Sequence, residues 1–183
     1  MKKQNLVLYI LRLALTLLAI TAVVAAALAA VNTITAPVIA NLNAEKTQAA
    51  VEKVLPGGGE LLDSFTDETG FVQAVYASES GYAVQVAPTG FNGPIVMMVG
   101  VDRDGNVLGI DVISNTETAG LGAVAGADSM KGQLFRDQFI GTSGSLAVKN
   151  DGGAIDSITS ATISSRAVVA GVNAALACVE SLG

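Results

Sequence analysis

The chain has 183 residues, 51% hydrophobic and only 14% charged, with sixteen acidic side chains against ten basic ones. It has no histidine and a single cysteine, Cys178. This excludes Ser-His-Asp and Cys-His nucleophilic catalysis, His- or thiolate-based metal and iron–sulfur sites within the chain, and any internal disulfide; redox chemistry has to be carried by an organic cofactor.

The hydrophobic excess is local. From Leu13 to Val31 there is no charge, only Ala, Val, Leu, Ile and two Thr, close to the roughly 20 residues that span a bilayer core as a helix. Lys2, Lys3 and Arg12 precede the run, and no Lys or Arg follows until Lys46. The positive-inside rule then predicts a cytoplasmic N-terminus and an exported remainder, anchored in the cell membrane. A cleaved signal peptide is the rival reading, since a basic start, an apolar run and the small residues Ala25–Ala30 also suit one. Beyond the run stand seven basic residues and all sixteen acidic ones. An acidic domain without a basic stripe argues against nucleic acid as a partner.

Residues 32–36 leave the apolar run, and Pro37 suits the first turn of a helix over Val38–Leu55, either separate or a bent extension of the anchor. Pro56-Gly57-Gly58-Gly59 ends it. Four strands are expected next, at Phe71–Ala77, Gly81–Ala87, Ile95–Val101 and Val107–Ile113. Gly81–Ala87 alternates, with Tyr82, Val84 and Val86 on one face, while Ile95–Val101 is apolar on both. Asp102-Arg103-Asp104-Gly105-Asn106 is a hairpin turn between the last two. Ser114–Ala125 has little periodicity. Asp128 is expected to cap a short helix through Met130, Leu134, Phe135 and Phe139, and Leu146–Lys149 to form another short strand. A final apolar helix covers about 164–182, with Cys178 as a small core residue. Strands preceding helices predict an α+β domain with an antiparallel sheet and flanking helices. The expected organisation is a cytoplasmic tip and anchor over 1–35, a juxtamembrane helix and linker over 36–60, and a domain over 61–183.

Three stretches carry chemistry. Asp156-Ser157-Ile158-Thr159-Ser160-Ala161-Thr162-Ile163-Ser164-Ser165 has a hydroxyl or carboxylate at seven of ten positions and runs into the last helix. Such a start is either a plain cap or a seat for a phosphate, because it exposes unpaired N–H groups at the positive end of the helix dipole. One capping residue would suffice, yet five hydroxyls fall within Thr159–Ser165. Glu117-Thr118-Ala119-Gly120-Leu121-Gly122 is either an irregular surface loop or a backbone wall against which a flat ring can lie, since glycines permit close approach. Glu117 could there accept hydrogen bonds from ring or ribitol groups. Lys149 is either a solvated lysine or a neutralising partner for a phosphate.

Together, and in this order, these stretches resemble the FMN-binding domain family of membrane redox complexes. The family signature Asp-x-x-Ser/Thr-Gly-Ala-Thr is matched by Asp156-Ser157-Ile158-Thr159-Ser160-Ala161-Thr162. The upstream loop His-x-Glu-Thr-Pro-Gly-Leu-Gly corresponds to Asn115–Gly122. Chain length and the single N-terminal anchor are most similar to the singly anchored flavoprotein members of the Rnf-type ion-translocating oxidoreductases. The resemblance implies FMN attached covalently through its phosphate to Thr162, within a motif of Asp156, Thr159, Ser160 and Ala161. It implies a separate flavin transferase that attaches the cofactor, a phosphate stabilised by helix N–H groups and Lys149, and a ring lying against Glu117, Thr118, Gly120, Leu121 and Gly122. It further implies electron relay among the membrane subunits of a ferredoxin:NAD oxidoreductase complex. A free-standing extracellular flavin carrier and a non-catalytic exported module are the alternatives. Three positions depart from the pattern: Asn115 for histidine, Ala119 for proline, and Ser160 for glycine. If position 160 needs positive φ, serine there costs roughly 1 kcal/mol relative to glycine.

Overall fold

The computed structural model describes residues 3–182, with side chains from residue 8 onward; Lys2, counted above toward the basic N-terminal end, and Gly183 lie outside the described residues. The chain divides into two compact units, one ending at Ala44 and one starting at Glu45.

The first unit is wholly helical. Helix α1 spans Lys3–Val54 and contains Pro37. Of the two expectations at Pro37, the structure has the continuous extension rather than a separate helix, because a proline removes one intrahelical hydrogen bond and its neighbours can stay helical. The stretch Leu8–Val54 is long and apolar enough to cross a membrane. Four of its hydroxyls are satisfied internally: Thr16, Thr21, Thr33 and Thr35 each donate to a carbonyl one turn earlier, at 2.8–3.0 Å, which removes the need for water around them.

The second unit is α+β. Strands β1 (Glu60–Leu61), β2 (Val72–Ser78), β3 (Gly81–Val86), β4 (Val96–Asp102) and β5 (Val107–Ser114) form one antiparallel sheet in sequence order. The four expected strands are present within a residue or two, and β1 is added at the edge. It is too short to carry a period-2 pattern. The Asp102–Asn106 turn forms as expected: the Asp102 carboxylate accepts from the Asn106 side chain and from the amides of Asp104 and Asn106. These bonds, the Asn106 side chain first, hold its carboxyl below the ordinary 3.8. A depressed carboxylate stabilises the fold at pH above its unfolded value, and the stability is lost as pH falls through the folded one. Acid melts of wild type and Asp102→Asn should therefore converge below about pH 4, with the variant less pH-sensitive on the way down.

Register explains how the sheet is covered. One cross-strand row reads Val75, Val84, Val99, Ile110, all buried. It packs in the main core with helix α3 (Thr162–Glu180), which supplies Ala167, Val168, Val172, Ala175 and Val179. The adjacent row reads Tyr76, Ala83, Gly100, Gly109 and points the other way. It is small at its centre, and the C-terminal turns of α1 settle there: Ala50, Val51, Val54 and Leu55 form a second core with Ala83 and Met98. A Cβ at Gly100 would lie 2.3 Å from the Val54 carbonyl oxygen, so only glycine admits this approach. Lys53 pairs with Asp111 beside it. Both faces of the sheet are thus buried, which the alternation of Gly81–Ala87 alone did not show.

Helix α3 is as apolar as a membrane span, but 67% of its apolar window is buried in the domain. Cys178 lies within this core, where burial, reinforced by the charge of Asp67, pushes its thiol up; it is an unreactive packing residue. Helix α2 (Met130–Asp137) is capped by Ser129, whose Oγ accepts from Gly132 N at 3.2 Å, in place of the expected Asp128. The expected strand Leu146–Lys149 is replaced by a single parallel bridge, Val148 with Ile155, leading into a 3-10 turn over Lys149–Asp151. With one bridge partner there is no ladder to extend a strand.

Candidate functional site

The hydroxyl-rich stretch ends where α3 begins. Thr162 is the first helical residue and Ala161 holds the N-cap position, with no side-chain cap hydrogen bond. The hydroxyls therefore do not act as a conventional cap. Ser165 ties the turn together instead: its Oγ accepts from Ile158 N at 2.9 Å and donates to Ala161 O at 3.0 Å. Ser164 Oγ donates to the Glu117 carboxylate, linking positions 47 residues apart. The amides at the start of α3 consequently have no side-chain partner of their own, at the positive end of a 19-residue helix.

A cavity of about 390 Å³ opens at this point, lined by Phe91, Glu117, Thr118, Leu121, Gly122, Ser160, Ala161, Thr162, Ile163 and Ser164. The fold thus brings together seven of the expected residues from two stretches, Glu117, Thr118, Leu121, Gly122, Ser160, Ala161 and Thr162. Gly120, with φ +76°, forms the turn of the loop without lining the cavity. Asp156, Thr159 and Lys149 also lie outside its lining. The Lys149 ammonium is 2.7 Å from the Asp156 carboxylate, with both side chains more than half exposed.

Glu117 lines the cavity and is 9% exposed, and each of its carboxylate oxygens accepts one hydrogen bond from the protein: Oε1 from Asn92 N at 2.9 Å and Oε2 from Ser164 Oγ. It joins the 89–94 loop, its own loop and the start of α3. Gly122 fits against the same hub, where a Cβ would lie 2.3 Å from Ser164 Oγ and 2.4 Å from Glu117 Oε2.

Ser160 has φ +63°, and among the described residues no other non-glycine residue has positive φ. The position where the resemblance has glycine is thus one that glycine suits. Ser157 Oγ, three residues earlier, is the one buried side-chain polar atom without a partner among the described residues. Both costs fall in the same short stretch, as happens where local stability yields to a site. Ser160→Gly should raise stability by about 1 kcal/mol, measurable as a denaturant midpoint shift at constant m-value.

Sequence reasoning passed over Phe91, Asn92 and Gln138. Phe91 and Asn92 sit in Thr89-Gly90-Phe91-Asn92-Gly93-Pro94, where an aromatic flanked by turn formers was the available signal. Gln138 follows α2 and grips the backbone of Asp156 on both sides: Asp156 N donates to its Oε1 at 2.7 Å, and its Nε2 donates to Asp156 O at 3.3 Å. Nothing local in sequence marks that pairing.

The FMN-binding domain family matches residues 90–177, a span holding every cavity residue. The chain is 31% identical to the G subunit of the Na(+)-translocating ferredoxin:NAD(+) oxidoreductase complex of Acetobacterium woodii, covering 94% of this chain and 93% of that one. It is 34% identical to the G subunit of the ion-translocating oxidoreductase complex of Stutzerimonas stutzeri, covering 89% and 78%, and 30% identical to that of Methanosarcina acetivorans, covering 91% and 93%. The chain belongs to the family of ion-translocating oxidoreductase complex G subunits and carries an FMN-binding domain.

Proposed function

We propose that this chain relays electrons through FMN joined by a phosphoester to Thr162, as the flavoprotein subunit of an Rnf-type ferredoxin:NAD oxidoreductase complex in the cell membrane. The observation that carries the reading is the cavity itself: Thr162, at a helix start without a side-chain cap, opens into the same space as the Glu117–Gly122 loop. The residues present fit the cofactor. The first-turn amides of α3 and its dipole suit a phosphate, and the cavity is within the range of small-molecule sites, about 300–1,000 Å³. Its wall combines apolar Phe91, Leu121 and Ile163 with the polar groups of Thr118, Ser160 and Thr162. FMN, when bound, supplies the one- and two-electron chemistry that no side chain here provides.

The remaining residues position rather than react. Glu117 fixes three segments around the cavity through its two oxygens. Lys149 and Gln138 hold Asp156, which we assign to the recognition surface for a flavin transferase, since the chain has no histidine to activate Thr162 and the Thr162 hydroxyl has no hydrogen-bonded base among the described residues. Arg12 and the absence of Lys or Arg from Leu13 to Glu45 orient the N-terminus to the cytoplasm and the domain to the opposite face. The apolar run has no acidic residue, so ion translocation falls to other subunits of the complex.

The test is co-expression of the full chain with a flavin transferase, followed by a denaturing gel viewed under ultraviolet light. A fluorescent band at the chain's mass is expected, and a dark band excludes covalent flavin. Co-purification from membranes with multi-spanning partners is expected; recovery of the labelled chain alone would instead indicate a free-standing carrier.

A further inference from the structure

Phe91 is 66% exposed, whereas Phe135 and Phe139 pack edge to face in the core with centroids 5.5 Å apart. Isolated exposed apolar residues are ordinary, but Phe91 is neither isolated nor loosely held. Leu121 and Ile163, also exposed, line the same cavity. The loop that carries Phe91 is closed on itself by the Thr89–Pro94 bridge and by Gly90 N donating to Gly93 O at 2.8 Å. It is then bound to the neighbouring segment at three points. Asn92 N donates to Glu117 Oε1 at 2.9 Å, Asn92 Nδ2 to Thr118 Oγ1 at 3.1 Å, and Thr116 Oγ1 to Asn92 O at 3.3 Å. The glycines on either side are packed out: a Cβ at Gly90 would lie 2.6 Å from Glu117 Oε1, and one at Gly93 would lie 2.7 Å from Thr116 Oγ1. The fold therefore presents one aromatic ring to the cavity on a rigid loop, in register with the start of α3 through Glu117 and Ser164.

We propose that Phe91 is an aromatic clamp that covers the isoalloxazine ring of the flavin held at Thr162. The proposal rests on the flavin reading above. A flat, electron-poor ring is the ligand an exposed phenyl group and two aliphatic neighbours recognise best, by offset stacking and apolar contact. Phe91 touches the cofactor, while Asn92 and Glu117 are positioning residues for it.

The experiment uses the full-length, flavin-labelled chain. Native flavin emission is divided by the emission of the same sample after denaturation, which counts attached flavin. Phe91→Ala should make the native emission severalfold more sensitive to iodide, because the ring loses its cover. Phe91→Tyr should keep the wild-type protection from iodide, while lowering the native emission, since a stacked phenol quenches flavin by electron transfer. Phe91 makes no core contact, so the thermal midpoint of the apo chain should be unchanged by either substitution. Equal iodide sensitivity in wild type and Phe91→Ala would overturn the clamp while leaving the flavin reading intact. That result together with weaker recovery of membrane partners would assign Phe91 to a protein contact instead. Absence of label in denatured wild type would refute the flavin reading and the clamp with it.

Discussion

Thr162→Ala should abolish covalent flavin altogether, leaving a folded chain that gives a dark band after co-expression with a flavin transferase. The effect is all-or-none because it removes the only atom through which the phosphoester is proposed to form. Thr162 is half-buried at the first turn of α3 and adds little to the core, so the substitution should shift the thermal midpoint only slightly. Thr162→Ser keeps the hydroxyl and should keep a measurable label. Ser164→Ala separates chemistry from architecture. It should retain the label, yet destabilise the domain by about 1–3 kcal/mol, because Glu117 Oε2 loses its donor inside the protein. If fluorescence persists in Thr162→Ala, attachment lies elsewhere.

Truncation should give the second large effect. A chain starting at Glu45 should fold as a soluble domain, whereas one starting at Gly57 should not. The reason is the second core. Val51 and Leu55 are fully buried and Val54 nearly so, and burying side chains of this size contributes about 1.5–3 kcal/mol each. Losing three of them removes roughly 5 kcal/mol or more, comparable with the whole stability of a small domain. It also uncovers Met98 and Ala83 on the sheet face that α1 covers. Far-UV circular dichroism with thermal melting distinguishes the two truncations. Cooperative unfolding of the chain starting at Gly57, with the midpoint of the longer one, would show that the last turns of α1 are dispensable. The boundary of the folding unit thus lies inside a continuous helix, so a chain cut at the Pro56–Gly59 breaker loses part of the core.

Several features were legible because they are local. An uncharged run of membrane length needs no tertiary information to read. The alternation in β3 follows from the two-residue period of a strand, and the Asp102–Asn106 turn from side chains that bond to their own backbone. The stretch Asp156–Thr162 and the loop Glu117–Gly122 could be singled out by composition and order, and Ser160 by its departure from glycine.

What remained hidden depends on pairing between distant segments. Glu117 read as an acceptor for ring or ribitol groups; the fold adds that its two oxygens also bond Asn92 and Ser164, which no spacing rule connects. Phe91 drew no reading from the sequence, and only the three bonds from its loop to Thr116, Glu117 and Thr118 make it a fixed wall of the cavity. Lys149 read either as a solvated lysine or as a phosphate partner, and the fold adds its pairing with Asp156. Residues Ala50–Leu55 read as a linker helix, yet the row Tyr76, Ala83, Gly100, Gly109 makes them core. By itself, then, the sequence determined the apolar run of membrane length, the four long strands, the main turn and the two motifs. Each rests on interactions within about ten residues, where backbone geometry alone fixes which side chains meet. Tertiary structure decided which motif residues share a cavity and which face of the sheet α1 covers. Those choices are set by sheet register and by the close approach that a glycine allows, and neither is encoded in any single stretch.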